Sequence, residues 1–208
     1  MKIAIALFDR FTALDAVGPY QVLSQLPADI FFIAERRSHI GDESGAFRLE
    51  APVAFDEVTD PDIVLVPGGP GTPVEPAPLL EWLRAVDATT TWTTSVCTGA
   101  LALAAAGLLT GRKATTHWLA YDELARLGAE PVSERVVFDG KYVTAAGVSA
   151  GIDMALTLVG RIAGDEKAQS IQLGIEYDPQ PPYNAGSPAT APADIVAQHR
   201  ADSRFATR

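Results

Sequence analysis

Four short apolar runs constrain the fold most: Ile3-Ala-Ile-Ala-Leu-Phe8, Ile30-Phe-Phe-Ile-Ala34, Ile63-Val-Leu-Val66 and Trp92 to Val96. The first three are continuous rather than alternating, as strands buried on both faces of a parallel sheet must be. Helical stretches separate them, around Asp15 to Leu26, Leu79 to Ala88, Thr98 to Ala106, Trp118 to Leu127 and Ala150 to Ala163. Strand and helix in alternation imply right-handed crossovers, hence an α/β chain with a doubly wound, mostly parallel sheet sandwiched by helices. Val136 to Phe138, Asp139-Gly140 and Tyr142 to Ala145 predict a hairpin, because Asp-Gly accepts the positive φ of a tight turn. With 208 residues the chain suits one large domain, expected over 1–177. The segment 178–208 changes character: Asp178 to Pro192 holds five prolines in fifteen positions and can continue neither a helix nor a central strand. It reads either as an extension packed on the domain, ending in a short helix near Ala193 to Phe205, or as a disordered tail.

Charge narrows the partners. Sixteen Lys and Arg against 26 Asp and Glu give a net charge of −10, and no basic run exceeds Arg36-Arg37 or Arg112-Lys113. A phosphate-tracking surface needs a basic patch, so nucleic acid and anionic membranes are not expected partners. The one cysteine, Cys97, excludes an internal disulfide and a CxxC pair. Three scattered histidines and one cysteine give no metal-ligand spacing, so no metal is expected. Ile3 to Phe8 is too short for a signal peptide, and the greasiest stretch, Ala100 to Leu109, is too short to span a bilayer. A cytoplasmic location is expected.

Chemistry in such sheets gathers beyond the carboxyl ends of the strands. At one of these, Thr91-Trp-Thr-Thr-Ser-Val96 runs into Cys97-Thr98-Gly99 and an alanine-rich helix without a linker. A cysteine on that bend sits at a helix N-terminus, where free N–H groups and the helix dipole favour a thiolate and predict a lowered thiol pKa. An inert buried thiol is the competing reading. Pro67-Gly68-Gly69-Pro70-Gly71 follows another strand, and its N–H groups could face developing negative charge, or simply make a turn. Asp15 fits a Thr12-x-x-Asp15 capping box, or is itself a helix cap that makes Pro19 tolerable, or is a catalytic acid. His117 is either a base for Cys97 or a polar residue opening the next helix.

Ser95-Val-Cys97-Thr-Gly99, Ala114-Thr-Thr-His117-Trp118, Pro67-Gly-Gly69 and Leu14-Asp15-x-x-Gly18-Pro19 together resemble the DJ-1/PfpI superfamily, in its order, over residues 1 to about 175. Gln172 to Pro182 and Ala185-Gly-Ser-Pro188 are similar to its isonitrile-hydrating branch. The resemblance implies a flavodoxin-like sandwich, a homodimer, no cofactor and a small-molecule substrate. It makes Cys97 the nucleophile, Thr98 a catalytic partner, the backbone N–H groups of Gly69 and Thr98 the oxyanion-type donors, and Gly68 and His117 pocket residues. Members with glyoxalase or peptidase-like activity usually carry glutamate at the place of Asp15, so Asp15 favours the hydratase branch.

The implied chemistry is hydration of an isonitrile to an N-substituted formamide through a Cys97 thioimidate, with Asp15 as general acid and then base. Alternatives are a glyoxalase-type activity, a redox-reporting thiol, or a ligand-sensing domain. The last is related to AraC-type regulators, whose helix-turn-helix module is not expected within these 208 residues.

Overall fold

The computed structural model describes residues 1–205. The last three residues of the 178–208 extension lie outside the described residues. In chain order the elements are β1 (Lys2–Ala6), α1 (Ala13–Leu23), β2 (Asp29–Ala34), β3 (Ser38–Gly41), β4 (Arg48–Ala51), β5 (Val53–Ala54), β6 (Ile63–Val66), α2 (Pro78–Val86) and β7 (Trp92–Val96). They continue as α3 (Gly99–Ala105), β8 (Lys113–Ala114), α4 (Tyr121–Arg126), β9 (Glu130–Pro131), β10 (Val136–Asp139), β11 (Tyr142–Ala145), α5 (Ala150–Ala163), α6 (Asp165–Gly174) and α7 (Ala193–Ala201).

Seven strands form the central sheet in the order β10-β11-β7-β6-β1-β2-β5, parallel except for the β10–β11 hairpin. The continuous apolar runs explain themselves here. Along β1, Ile3 and Ile5 join one core while Ala4 and Ala6 join the other; along β6, Ile63 and Leu65 part from Val64 and Val66 in the same way. One core is closed by residues of α2, α3 and α4, the other by residues of α1, α5 and α6. A sheet covered on both faces has no polar face, so alternation disappears. This is the doubly wound, flavodoxin-like sandwich expected from the sequence.

Three local readings need correction. Helix α1 begins at Ala13, not Asp15, and its N-cap Thr12 makes no side-chain capping bond. Neither cap reading of Asp15 therefore survives, and Pro19 lies inside the helix, where it removes the N–H that would bond the Asp15 carbonyl. The stretch Trp118 to Leu127 divides into a single 3₁₀ turn, Trp118–Ala120, followed by α4. The β3–β4 hairpin and α6 were not foreseen; both are short and polar on their outer faces, which blurs their periodicity. The closing helix forms but stops at Ala201, short of Phe205.

Helix α3 starts so close under β6 that a Cβ at Gly99 would lie 2.2 Å from the Val66 carbonyl oxygen and 2.8 Å from that of Pro67. Backbone cannot yield as a flexible side chain can. Gly99→Ala should therefore destabilise the fold by about 2 kcal/mol or more, read as a fall of several degrees in Tm.

Candidate active site

Cys97 follows the last residue of β7 and adopts φ of +57°, a left-handed conformation that costs a non-glycine residue about 1–3 kcal/mol. Three hydrogen bonds hold the bend: its N–H donates to the carbonyls of both Ala145 and Ala146, each 3.0 Å from the nitrogen, and its own carbonyl accepts from the Thr116 hydroxyl at 2.8 Å. The strain thus lifts the sulfur above the sheet, beside the start of α3. The N–H groups of Thr98 and Val148 and the Thr98 hydroxyl lie around it, and each favours the thiolate. Val148 comes from the turn between β11 and α5 and is also left-handed, with φ of +29°.

The carboxyl of Asp15 completes the pair. It is wholly buried and within hydrogen-bond reach of the Cys97 thiol. Its Oδ2 accepts the Gly68 N–H at 2.8 Å, whereas Oδ1 has no nitrogen or oxygen partner among the described residues. Burial, the largest cause, lifts its pKa to about 7 against the pull of the Gly68 and Cys97 hydrogen bonds. Gly68 makes the approach feasible, since a Cβ there would lie 2.5 Å from the Thr98 nitrogen and 2.9 Å from Asp15 Oδ2.

The lowered thiol pKa expected from a helix N-terminus is overturned. Burial first, and the neighbouring Asp15 charge second, push the Cys97 thiol up to about 12, outweighing the three donors. A helix of seven residues supplies too little dipole to offset the loss of water from a side chain only 6% exposed.

Thr98 and Gly69 are brought together, in a way the sequence did not reveal. The Gly69 N–H donates to Thr98 Oγ1 at 2.9 Å, Thr98 Oγ1 lies 2.9 Å from Thr72 Oγ1, and Thr72 Oγ1 donates to the Gly69 carbonyl at 2.8 Å. The result is a closed ring of hydrogen bonds. Gly69 N–H, expected as a free oxyanion-type donor, is instead taken up in orienting the Thr98 hydroxyl. Val148 N–H stands with Thr98 N–H at the sulfur. Thr72 and Val148 were missed, although each lies in a loop after a parallel strand, which is where the topology directs attention.

His117 is not joined to Cys97 by a hydrogen bond among the described residues. Its Nδ1 accepts from the Leu119 N–H at 3.4 Å, and burial, followed by the charge of His199, lowers its pKa. It lines a cavity of about 480 Å³ with Leu14, Trp118, Tyr121, Val148 and Pro188. Val148 is common to that cavity and to the sulfur's surroundings. No cluster of three or more metal-ligating side chains occurs among the described residues. No helix among them is long and apolar enough to cross a membrane.

The raised Asp15 pKa carries a stability consequence. Below about pH 4 both folded and unfolded chains hold the proton, with no penalty; from there to about pH 7 the unfolded chain ionises first, and folding loses stability. Asp15→Asn should abolish that loss. Its stability relative to the parent should climb between pH 4 and 7 and level off above, each tenfold change in proton affinity being worth about 1.4 kcal/mol; denaturant titrations across that range check it.

The DJ-1/PfpI family model matches residues 1–161. The chain is 41% identical over 203 residues to the isonitrile hydratase of Pseudomonas putida, covering 96% of this chain and 89% of that protein. It is 30% identical over 169 residues to the HTH-type transcriptional regulator CdhR of Pseudomonas aeruginosa, covering 76% of this chain and 48% of the regulator. The crystal structure of a THiJ/PfpI family protein from Pseudomonas syringae superposes with a TM-score of 0.94 at 36% identity, covering 99% of this chain and 87% of that one. A match of this extent, in sequence and in three dimensions, has one meaning: the chain belongs to the DJ-1/PfpI family.

Proposed function

We propose that the protein hydrates isonitriles, R–N≡C, to N-substituted formamides, R–NH–CHO, with Cys97 as nucleophile and Asp15 as the proton carrier. The observation that carries this reading is the buried pairing of a thiol with a carboxyl whose pKa lies near 7. The 41% identity to an isonitrile hydratase supports it. An isonitrile carbon must gain a nucleophile and a proton in one process, and this pair holds both.

The dyad gives up its first proton near pH 7 and its second far above. Between these limits one proton serves two sites, so the pair can react as thiolate with carboxylic acid. Sγ then bonds the isonitrile carbon while Asp15 delivers its proton there, giving the thioimidate R–N=CH–S. Asp15, now a carboxylate, takes a proton from water as the water oxygen bonds that carbon and passes it to the nitrogen, giving R–NH–CH(OH)–S; the hydroxyl proton then returns to Asp15 as this adduct collapses. Collapse breaks the C–S bond, releases R–NH–CHO and restores the one-proton dyad. Thr98 N–H, Val148 N–H and the Thr98 hydroxyl stabilise the sulfur when it leaves as thiolate. These steps use only side chains and water, so the proposal needs no cofactor. The R group fits the adjoining 480 Å³ cavity, of a size that suits a small ligand. A small-molecule substrate, a cytoplasmic location and a homodimer belong to the same proposal.

The likeness to a transcriptional regulator favours a second reading, a sensor that binds a ligand unchanged. Incubation with an aryl isonitrile separates the two: formamide accumulates in the first case, and binding without product marks the second.

On the first reading Cys97→Ala abolishes formamide production. Asp15→Asn lowers kcat by roughly 10²–10⁴-fold, the usual worth of general acid–base catalysis, with the fold retained by circular dichroism. In the parent, kcat/KM for an isonitrile should rise tenfold per pH unit below about pH 7, where the dyad loses its first proton, and level off above. A rate that instead falls above pH 7 contradicts the one-proton state as the reactive form.

A further inference from the structure

The C-terminal segment reaches the loop after β6, beside the site of Cys97. Helix α7 sits over the turn at residues 118–120: the rings of Trp118 and His199 meet edge-on with centroids 6.4 Å apart, and the Arg200 guanidinium lies 5.9 Å from the Trp118 ring. Four residues beyond Arg200, the Arg204 guanidinium turns back to the loop after β6, donating from Nη1 to the Pro70 carbonyl and from Nη2 to the Gly69 carbonyl at 3.3 Å.

That loop is where the site is assembled. Gly68 N–H holds Asp15, Gly69 N–H holds Thr98, and the Gly69 carbonyl also accepts from the Thr72 N–H at 3.1 Å and the Thr72 hydroxyl at 2.8 Å. The ring has a second orientation. When sulfur becomes a thiolate, the Thr98 hydroxyl can turn to it, and the Thr72 hydroxyl then donates to Thr98 Oγ1 instead of to the Gly69 carbonyl. The Thr72 N–H and Arg204 are left to hold that carbonyl.

We propose that Arg204 is a positioning residue for the Cys97–Asp15 dyad, its fork holding the Gly69–Pro70 backbone in the arrangement that supports the thiolate while its charge favours that thiolate. The inference rests on Cys97 being the reactive thiol. Asp15, from α1, is the charged group facing the sulfur, and Glu43 acts on Asp15 in turn. Arg204 feels Cys97 together with Arg10 and Glu123. Of the cations among these groups, Arg204 is the one whose charged form Cys97 favours. No short-range sequence signal marks it, since it lies 107 positions after Cys97.

The test follows alkylation of Cys97 by iodoacetamide between pH 6 and 10, a readout that does not depend on isonitrile turnover. In Arg204→Ala the rate at pH 8 should fall at least several-fold and the profile should move to higher pH; Arg204→Lys, which returns the charge without the fork, should recover part of the shift. Thermal melting and near-UV circular dichroism establish that each variant is folded. An alanine variant that melts like the parent and keeps its alkylation profile overturns the proposal. So does a lysine variant whose profile matches the alanine variant while both remain folded, because the charge would then have no part. Loss of isonitrile hydration in the parent would instead bear on the proposed reaction and leave the alkylation result standing.

Discussion

The left-handed bend at Cys97 is the constraint on which the site depends. One residue with φ of +57° ends β7, starts the approach to α3, and places a sulfur where the loops after three neighbouring parallel strands meet. The bend persists because its surroundings over-determine it, through the shared N–H bond to Ala145 and Ala146 and the Thr116 hydroxyl on its carbonyl. Val148 contributes from the end of β11, Gly68 and Gly69 from the end of β6, and Asp15 from the helix after β1. Each of these groups has its position set by the same sheet register.

Two opposing terms then shape the chemistry. Burial raises both acids of the dyad, whereas the donors around the sulfur and carboxyl lower them. Burial wins at both by a similar margin, and because a carboxyl starts far below a thiol, a single proton is labile near neutrality. The site is thereby a poised acid beside a restrained thiol, rather than a standing thiolate.

Much of this was legible in the sequence, for identifiable reasons. The continuous runs at Ile3, Ile30 and Ile63 announced a sheet covered on both sides, and Val96-Cys97-Thr98-Gly99 announced the bend because strand and helix abut there. Asp15 was visible only as one of three alternatives: first-turn acids look alike in sequence, and only the orphaned Oδ1 and the Gly68 N–H distinguish this one. The thiol's direction of shift was misread because the dipole argument is local, whereas desolvation depends on what the rest of the chain places overhead. Thr72, Val148 and Arg204 share one difficulty, namely that their roles arise from contacts between segments far apart in sequence.

In the proposed reaction an isonitrile becomes bonded to Cys97 and gains its proton there. The most direct measurement is rapid acid quench during turnover of an aryl isonitrile, followed by intact-mass and peptide mapping. The proposed reaction gives an adduct on the Cys97 peptide heavier by the whole mass of the isonitrile, because thioimidate formation loses no atoms, and the adduct disappears as formamide accumulates. Turnover that persists in Cys97→Ala, with no adduct at any quench time in the parent, would contradict it.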